Sequence, residues 1–305
     1  MGIVGKWLES LDYQYEIKND TCVRHKSPFA TCQACVDVCT DHAIFLRDGK
    51  PVINQELCTD CGQCLSACPV QAIAGIYPKR MLINGTLIID TQQIPSIKDL
   101  LIYRAKGIKT LAIESDEIND DLLELFNQVN EQLIKLNEEP FEIQTDVTLP
   151  NTEETTYSRR ELFSLWKKES KTLMSQVTPA KWRFNQTDFD LAKHYKEHQF
   201  YSIDLDSSTC SLCKMCLSLC EKQCFSIDDK QFTISAQACS NCHLCIDICP
   251  ENSIHIKSNI TEAQQTNYQL YNKTCTSCKK SFLTIRDNDQ QCYICSKRRA
   301  DYLPS

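Results

Sequence analysis

Apolar and polar positions follow three different rhythms along the chain. Ala43-Ile44-Phe45-Leu46, the turn Asp48-Gly49 and Pro51-Val52-Ile53 predict a β-hairpin. Cys224-Phe225-Ser226-Ile227, a polar turn over 228–231 and Phe232-Thr233-Ile234 predict a second. Between them the period lengthens. Leu87-Ile88-Ile89-Asp90 reads as a strand, and Ile97, Leu100, Leu101 and Arg104 as a helix that Gly107 ends. Thr110-Leu111-Ala112-Ile113 is a second strand, Leu122 to Leu136 an amphipathic helix, and Phe141-Glu142-Ile143-Gln144 a third strand. Strand–helix–strand–helix–strand predicts a small parallel α/β insert. No glycine lies between Leu87 and Ile97, so the insert has no phosphate-binding loop. Ser158 and Glu161 make a capping box for a helix running to about Gln176, which Thr178-Pro179 ends. Trp7, Leu8 and Leu11 stand at near-helical spacing in a mixed leader over 1–21.

Cysteine runs bracket both hairpins. The C-terminal pair is Cys210-x2-Cys213-x2-Cys216-x3-Cys220 and Cys239-x2-Cys242-x2-Cys245-x3-Cys249-Pro250. The N-terminal pair is Cys22-x9-Cys32-x2-Cys35-x3-Cys39 and Cys58-x2-Cys61-x2-Cys64-x3-Cys68-Pro69. The unit of run, hairpin and run therefore occurs twice. A further motif, Cys275-x2-Cys278-x13-Cys292-x2-Cys295, lies near the C-terminus.

The chain has 305 residues and 21 cysteines, an odd number that argues against a fully paired disulfide framework and for a reducing compartment. No run of about 18 apolar residues suggests a membrane span, and the N-terminal stretch has no apolar core of the signal-peptide kind. The expectation is a cytoplasmic protein. The formal charge is −7. Four thiolate-bound [4Fe–4S] clusters and one four-thiolate zinc would take it to about −17, which makes nucleic acid an unfavoured partner. Charge is also polarised locally. Residues 114–154 are acid-rich and 159–183 base-rich, a solvated pair of faces or a docking site for a redox partner.

The two cysteine-rich stretches, 22–76 and 208–257, resemble bacterial two-[4Fe–4S] ferredoxins in tandem, as in a polyferredoxin. A small residue followed by an apolar one, four residues after each fourth cysteine, carries the resemblance further: Ala43-Ile44, Ala72-Ile73, Cys224-Phe225 and Ser253-Ile254. The resemblance implies a pseudo-twofold fold and one-electron transfer between clusters. It also implies crossed ligation, in which three thiolates of one run and the fourth cysteine of the other share a cube. The expected sets are Cys210, Cys213, Cys216 and Cys249; Cys239, Cys242, Cys245 and Cys220; Cys58, Cys61, Cys64 and Cys39; and Cys22, Cys32, Cys35 and Cys68. Departures are Thr40 and Glu221, where Pro69 and Pro250 stand in the other runs, and the nine residues between Cys22 and Cys32. His25 in that loop is a rival ligand to Cys22. Cys224 reads as a packing residue.

The motif Cys275, Cys278, Cys292 and Cys295 resembles a zinc ribbon, whose four thiolates suit a closed tetrahedral ion. Tyr293 and Ser296 stand where rubredoxin iron knuckles carry Pro and Gly, which points to Zn2+.

The fold class expected is α+β. The segments are a two-cluster ferredoxin-like domain over 1–79, the α/β insert over 80–150, a helical basic linker over 151–207, a second two-cluster domain over 208–260 and a ribbon over 261–305. No nucleophile with a partner, open metal position with a base, or flavin or nicotinamide loop is present, so the expectation is an electron carrier and not an enzyme. It would pass electrons to a partner oxidoreductase. Two rivals are an accessory protein that assembles a redox enzyme's clusters or cofactor, and a redox-responsive regulator.

Overall fold

A computed structural model describes residues 14–75, 77, 80–83, 85–91, 93–113, 120–144 and 189–297. The leader positions Trp7, Leu8 and Leu11, the helix expected over 158–176 and the basic stretch 159–183 lie outside the described residues. Among the described residues, no helix is long and apolar enough to cross a membrane. The contacts divide the chain into two units. The first comprises 14–18 and 34–191, the second 19–33 and 192–297, each counted over its described residues.

In the first unit, β1 (Glu16–Ile17) and the strands β2 (Ile44–Arg47) and β3 (Lys50–Ile53) lie beside the cysteine runs, and β1 pairs antiparallel with β4 (Ile73–Ala74). The hairpin β2–β3 turns at Asp48-Gly49, both with positive φ, as a two-residue turn between right-twisted strands requires. The buried Tyr15 ring fastens β1. Its hydroxyl donates to the Asp60 carbonyl at 3.0 Å, and the ring packs against Gly75, where an added Cβ would sit 1.9 Å from a ring carbon. Only glycine leaves room for that ring.

The same unit holds the four-stranded sheet β5 (Leu82–Ile83), β6 (Thr86–Ile89), β7 (Thr110–Ile113) and β8 (Glu142–Gln144), in that order. β6, β7 and β8 are parallel, and β5 adds an antiparallel edge. The crossover helix α1 (Ile97–Ala105) opens on a capping box in which Ser96 Oγ accepts from the Asp99 amide and Asp99 accepts from the Ser96 amide. The second helix, α2 (Asp120–Lys135), lays Leu122, Phe126, Val129 and Leu133 on one face, all buried. With Leu87, Ile89, Leu101 and Leu111 they form an apolar core in which each side chain contributes about 1.5–3 kcal/mol. Arg104 ends α1 buried, and its guanidinium meets the Glu139 carboxylate at 3.2 Å.

The second unit is built on β9 (His198–Leu205), the hairpin β10 (Phe225–Ile227) and β11 (Gln231–Ser235), and β12 (Ile254–Glu262). β9 pairs antiparallel with β12. β13 (Gln265–Gln269) adds to β11 as a third strand, and β14 (Tyr271–Thr274) and β15 (Ser281–Thr284) form a further hairpin. One apolar core runs through all of this. Leu205, Leu212, Phe232 and Ile254 share it with Leu270 and Ile285 of the C-terminal motif.

The segment 19–33 belongs to this second unit. It contains the one-turn helix Val23–Lys26, and Arg24 closes the loop behind it by donating to the carbonyls of Thr31 and Cys32. Two contacts hold the segment. Thr31 donates from its amide and its hydroxyl to the Asp247 carboxylate at 2.8 and 3.0 Å, and Lys26 pairs with Glu221.

Candidate metal centres

Each regular run winds through left-handed backbone at the same two places. Asp60 and Gly62, Leu212 and Lys214, and Asn241 and His243 all have positive φ, between the first and third cysteines. After every fourth cysteine a third such position follows, at His42, Gln71, Gln223 and Asn252. A non-glycine residue held there costs on the order of 1–3 kcal/mol, and such strain persists where a site demands the geometry. Here it turns amide groups toward sulfur. Ala72 N–H donates to Cys68 Sγ at 3.1 Å, Ser253 N–H to Cys249 Sγ at 3.3 Å and Leu212 N–H to Cys210 Sγ at 3.4 Å. The Val23–Thr31 stretch has no positive-φ residue, so the first run is built differently from the other three.

The fold brings the runs together across their hairpins. A narrow apolar pocket in the second unit is lined by Cys210, Cys213, Cys216 and Cys249. Burial pushes the Cys216 thiol up to about 12, with Cys210, Cys213 and Cys249 adding repulsion. Cys245 is pushed up by burial and by Cys242, Cys239 and Cys220. Cys242 rises to about 11, again chiefly through burial, with Cys220, Cys239 and Cys32 contributing. In the first unit, burial and then the thiols of Cys61, Cys35, Cys58 and Cys39 push Cys64 up. Thiols converging from two runs, whose thiolates a cationic core would stabilise, are a donor set that fits iron–sulfur cubes.

The other predicted ligands take these places. Cys22 is buried and caps the helix Val23–Lys26, and it falls with Cys32 in the second unit, whereas Cys35, Cys39, Cys58, Cys61, Cys64 and Cys68 fall in the first. His25 lies on that short helix, half-buried. Cys224 is buried in the second unit's core. Its thiol is pushed strongly up by hydrogen bonding to Cys220 and Cys239, so it faces two of the ligands expected for one cluster. Position 224 matches Ala43, Ala72 and Ser253 in the other runs, and that alignment was the only sign of it in the sequence.

The Cys275, Cys278, Cys292 and Cys295 thiols have a different geometry. Their Sγ atoms all lie within 4.8 Å of one another, and among the described residues no other group is gathered so tightly. One tetrahedral ion fits such a set, whereas a cube holds its thiolates farther apart. Backbone N–H groups of Cys278 and Cys292 hold the Cys275 thiol below the usual range.

Two cysteine runs interleaved across a hairpin, with amides turned onto the sulfurs, are similar to the sites of 4Fe–4S ferredoxin-type proteins. The comparisons with known proteins agree. Residues 51–74 match the 4Fe-4S binding domain family, Fer4. The chain is 38% identical over 60 residues to an uncharacterized ferredoxin, MJ0155, of Methanocaldococcus jannaschii, covering 20% of this chain and 38% of that one. It is 37% identical over 71 residues to the ferredoxin-type protein NapF of Escherichia coli, covering 22% and 42%. A ferredoxin of Rickettsia felis is 39% identical over 63 residues, covering 21% and 53%. The chain thus spans about half or less of the length of these relatives.

Proposed function

We propose that this protein is a one-electron carrier with four [4Fe–4S] clusters, which passes electrons between a donor and a partner oxidoreductase and carries a structural zinc in its C-terminal ribbon. The observation that carries the reading is the pocket lined by Cys210, Cys213, Cys216 and Cys249, since the last belongs to a different run from the other three. Crossed ligation of that kind sets two cubes on either side of interleaved loops, close enough for fast exchange. In the second unit the companion cube is assigned to Cys239, Cys242, Cys245 and Cys220, and in the first unit a cube to Cys58, Cys61, Cys64 and Cys39. The fourth cluster rests on the sequence spacing of the first run. The ribbon thiols Cys275, Cys278, Cys292 and Cys295 are assigned to zinc.

Anaerobic reduction with dithionite tests the reading. Reversible one-electron signals from all clusters, and reoxidation by a second redox protein with the iron count unchanged, are the expected results. Clusters that leave the protein for an apo-enzyme during the same experiment would make it an assembly factor instead.

A further inference from the structure

The ribbon is fastened to both ends of one cysteine set. Before Cys210, the Ser208 carbonyl accepts from Arg286 Nη1 at 2.6 Å. After Cys249, the Glu251 carboxylate receives both contacts of the Lys297 ammonium, at 2.8 and 2.9 Å. Arg286 follows β15, and Lys297 ends the short helix that begins at Tyr293 and contains Cys295. The two anchors therefore bracket Cys292 and Cys295 of the ribbon, and their partners lie two residues outside Cys210 and Cys249.

Arg286 is itself held in place. Its Nε donates to both Asp289 oxygens at 3.0 and 3.1 Å, and Asp289 also accepts from the Thr284 hydroxyl. Ser208 is as firmly set, because its amide and hydroxyl donate to Asp206, whose carbonyl accepts from the Cys210 amide. Beneath these polar anchors Ile285 and Leu283 enter the apolar core that also contains Leu212, Cys210, Cys216 and Cys249. A cleft of about 740 Å3 is lined by Cys213 of the loop and by Arg286, Cys278, Cys292 and Cys295 of the ribbon. Cys220, Cys239 and Cys245 border the same apolar core, but the ribbon's two polar anchors are made next to Cys210 and Cys249.

We infer that the ribbon is the shield of the cluster on Cys210, Cys213, Cys216 and Cys249, with Arg286 as the positioning residue, so that metal occupancy of the ribbon sets that cluster's potential and its resistance to oxidation. The inference rests on the proposed cluster assignment. Its physical basis is that cluster potentials depend on nearby charge and solvent exposure, and the ribbon brings the Arg286 cation next to Cys210 and apolar cover from Ile285 and Leu283.

Full-length protein, Arg286→Ala, Arg286→Lys and zinc-stripped Cys278→Ser are compared under anaerobic conditions. Iron and zinc are counted, each cluster's midpoint potential is resolved by electron paramagnetic resonance, and conversion to the [3Fe–4S] form is timed with ferricyanide. In that conversion a [4Fe–4S]2+ core loses one electron to ferricyanide and then releases one Fe2+, leaving [3Fe–4S]+. Arg286→Ala is expected to keep its zinc and iron and to convert one cluster severalfold faster than the unmodified protein. The midpoint of that cluster should move negative with the loss of a cation, and Arg286→Lys should recover most of the shift. The affected signal should be the one missing from Cys213→Ala. Conversion rates and potentials in Arg286→Ala and in zinc-stripped protein that match those of the unmodified protein would overturn the inference. Failure of the cluster assignment would look different, because unmodified protein would then lack the signal that Cys213→Ala removes.

Discussion

Thr31 grips Asp247 with two hydrogen bonds, from its amide at 2.8 Å and its hydroxyl at 3.0 Å. Asp247 ends the short helix that carries Cys245, and Thr31 immediately precedes Cys32. The loop that breaks the regular spacing of the first cysteine run is thus tied to the last run of the chain. Asp247→Ala should cost about 1 kcal/mol, since the bonds are solvent-exposed, and should speed amide exchange over 23–32. Unchanged exchange there would mean that Lys26 and Glu221 hold the segment alone.

Metal content follows from the ligand sets. Anaerobically prepared protein should approach about 16 iron and about one zinc per chain. About 12 iron with full zinc would show that the first run, with its long Cys22–Cys32 loop, does not complete a cube.

Under the proposed crossed ligation, Cys249→Ala and Cys213→Ala are lesions of one site. Each alone should convert a single cluster to a [3Fe–4S] form or lose it, and the double variant should add little, because members of one unit are not additive. Cys249→Ala with Cys242→Ala should lose two clusters. If Cys249→Ala and Cys242→Ala strike the same signal, ligation is local to each run.

Cluster loading should depend on pH. Burial pushes Cys216 up to about 12 and Cys242 up to about 11, so both are protonated at neutral pH in the metal-free protein and must release their protons to bind iron. Raising the pH lowers that cost, and the gain continues until the pH passes these values. Reconstitution with iron and sulfide should therefore be more complete at about pH 8.5 than at about pH 6.5 at equal iron, read from cluster absorbance.

Gly75→Ala should drive a Cβ into the Tyr15 ring. The ring would have to leave its place beneath the Asp60 loop, at a cost of about 1–3 kcal/mol, read from the denaturant midpoint. Tyr15→Leu combined with Gly75→Ala should recover part of the loss, since the clash needs both partners.

Much of this architecture was legible in the chain because it rests on local rules. The hairpins at 44–53 and 225–234 and the parallel β6–β7–β8 sheet declare themselves through apolar runs, turn residues and the change of period from two to 3.6. The cysteine spacings point to the proposed chemistry because three thiolates in one tight loop suit a cube and paired knuckles suit a single ion. What needed the tertiary structure lacks such a local mark. Gln265–Gln269 is polar and mostly exposed, so nothing in its pattern announces a third strand beside β11. The left-handed positions are filled by His42, Gln71, Gln223 and Asn252, where a sequence reader looks for glycine. Thr31 with Asp247, and Arg286 with Ser208, pair residues far apart in the chain, and exposed polar residues carry no signal of their partners. Residue spacing determined which cysteines are candidates to share a metal centre. Only the packing of Ile285 and Leu283 against Leu212 decided that the ribbon shares a core with a cluster domain, because burial is a property of what meets in space.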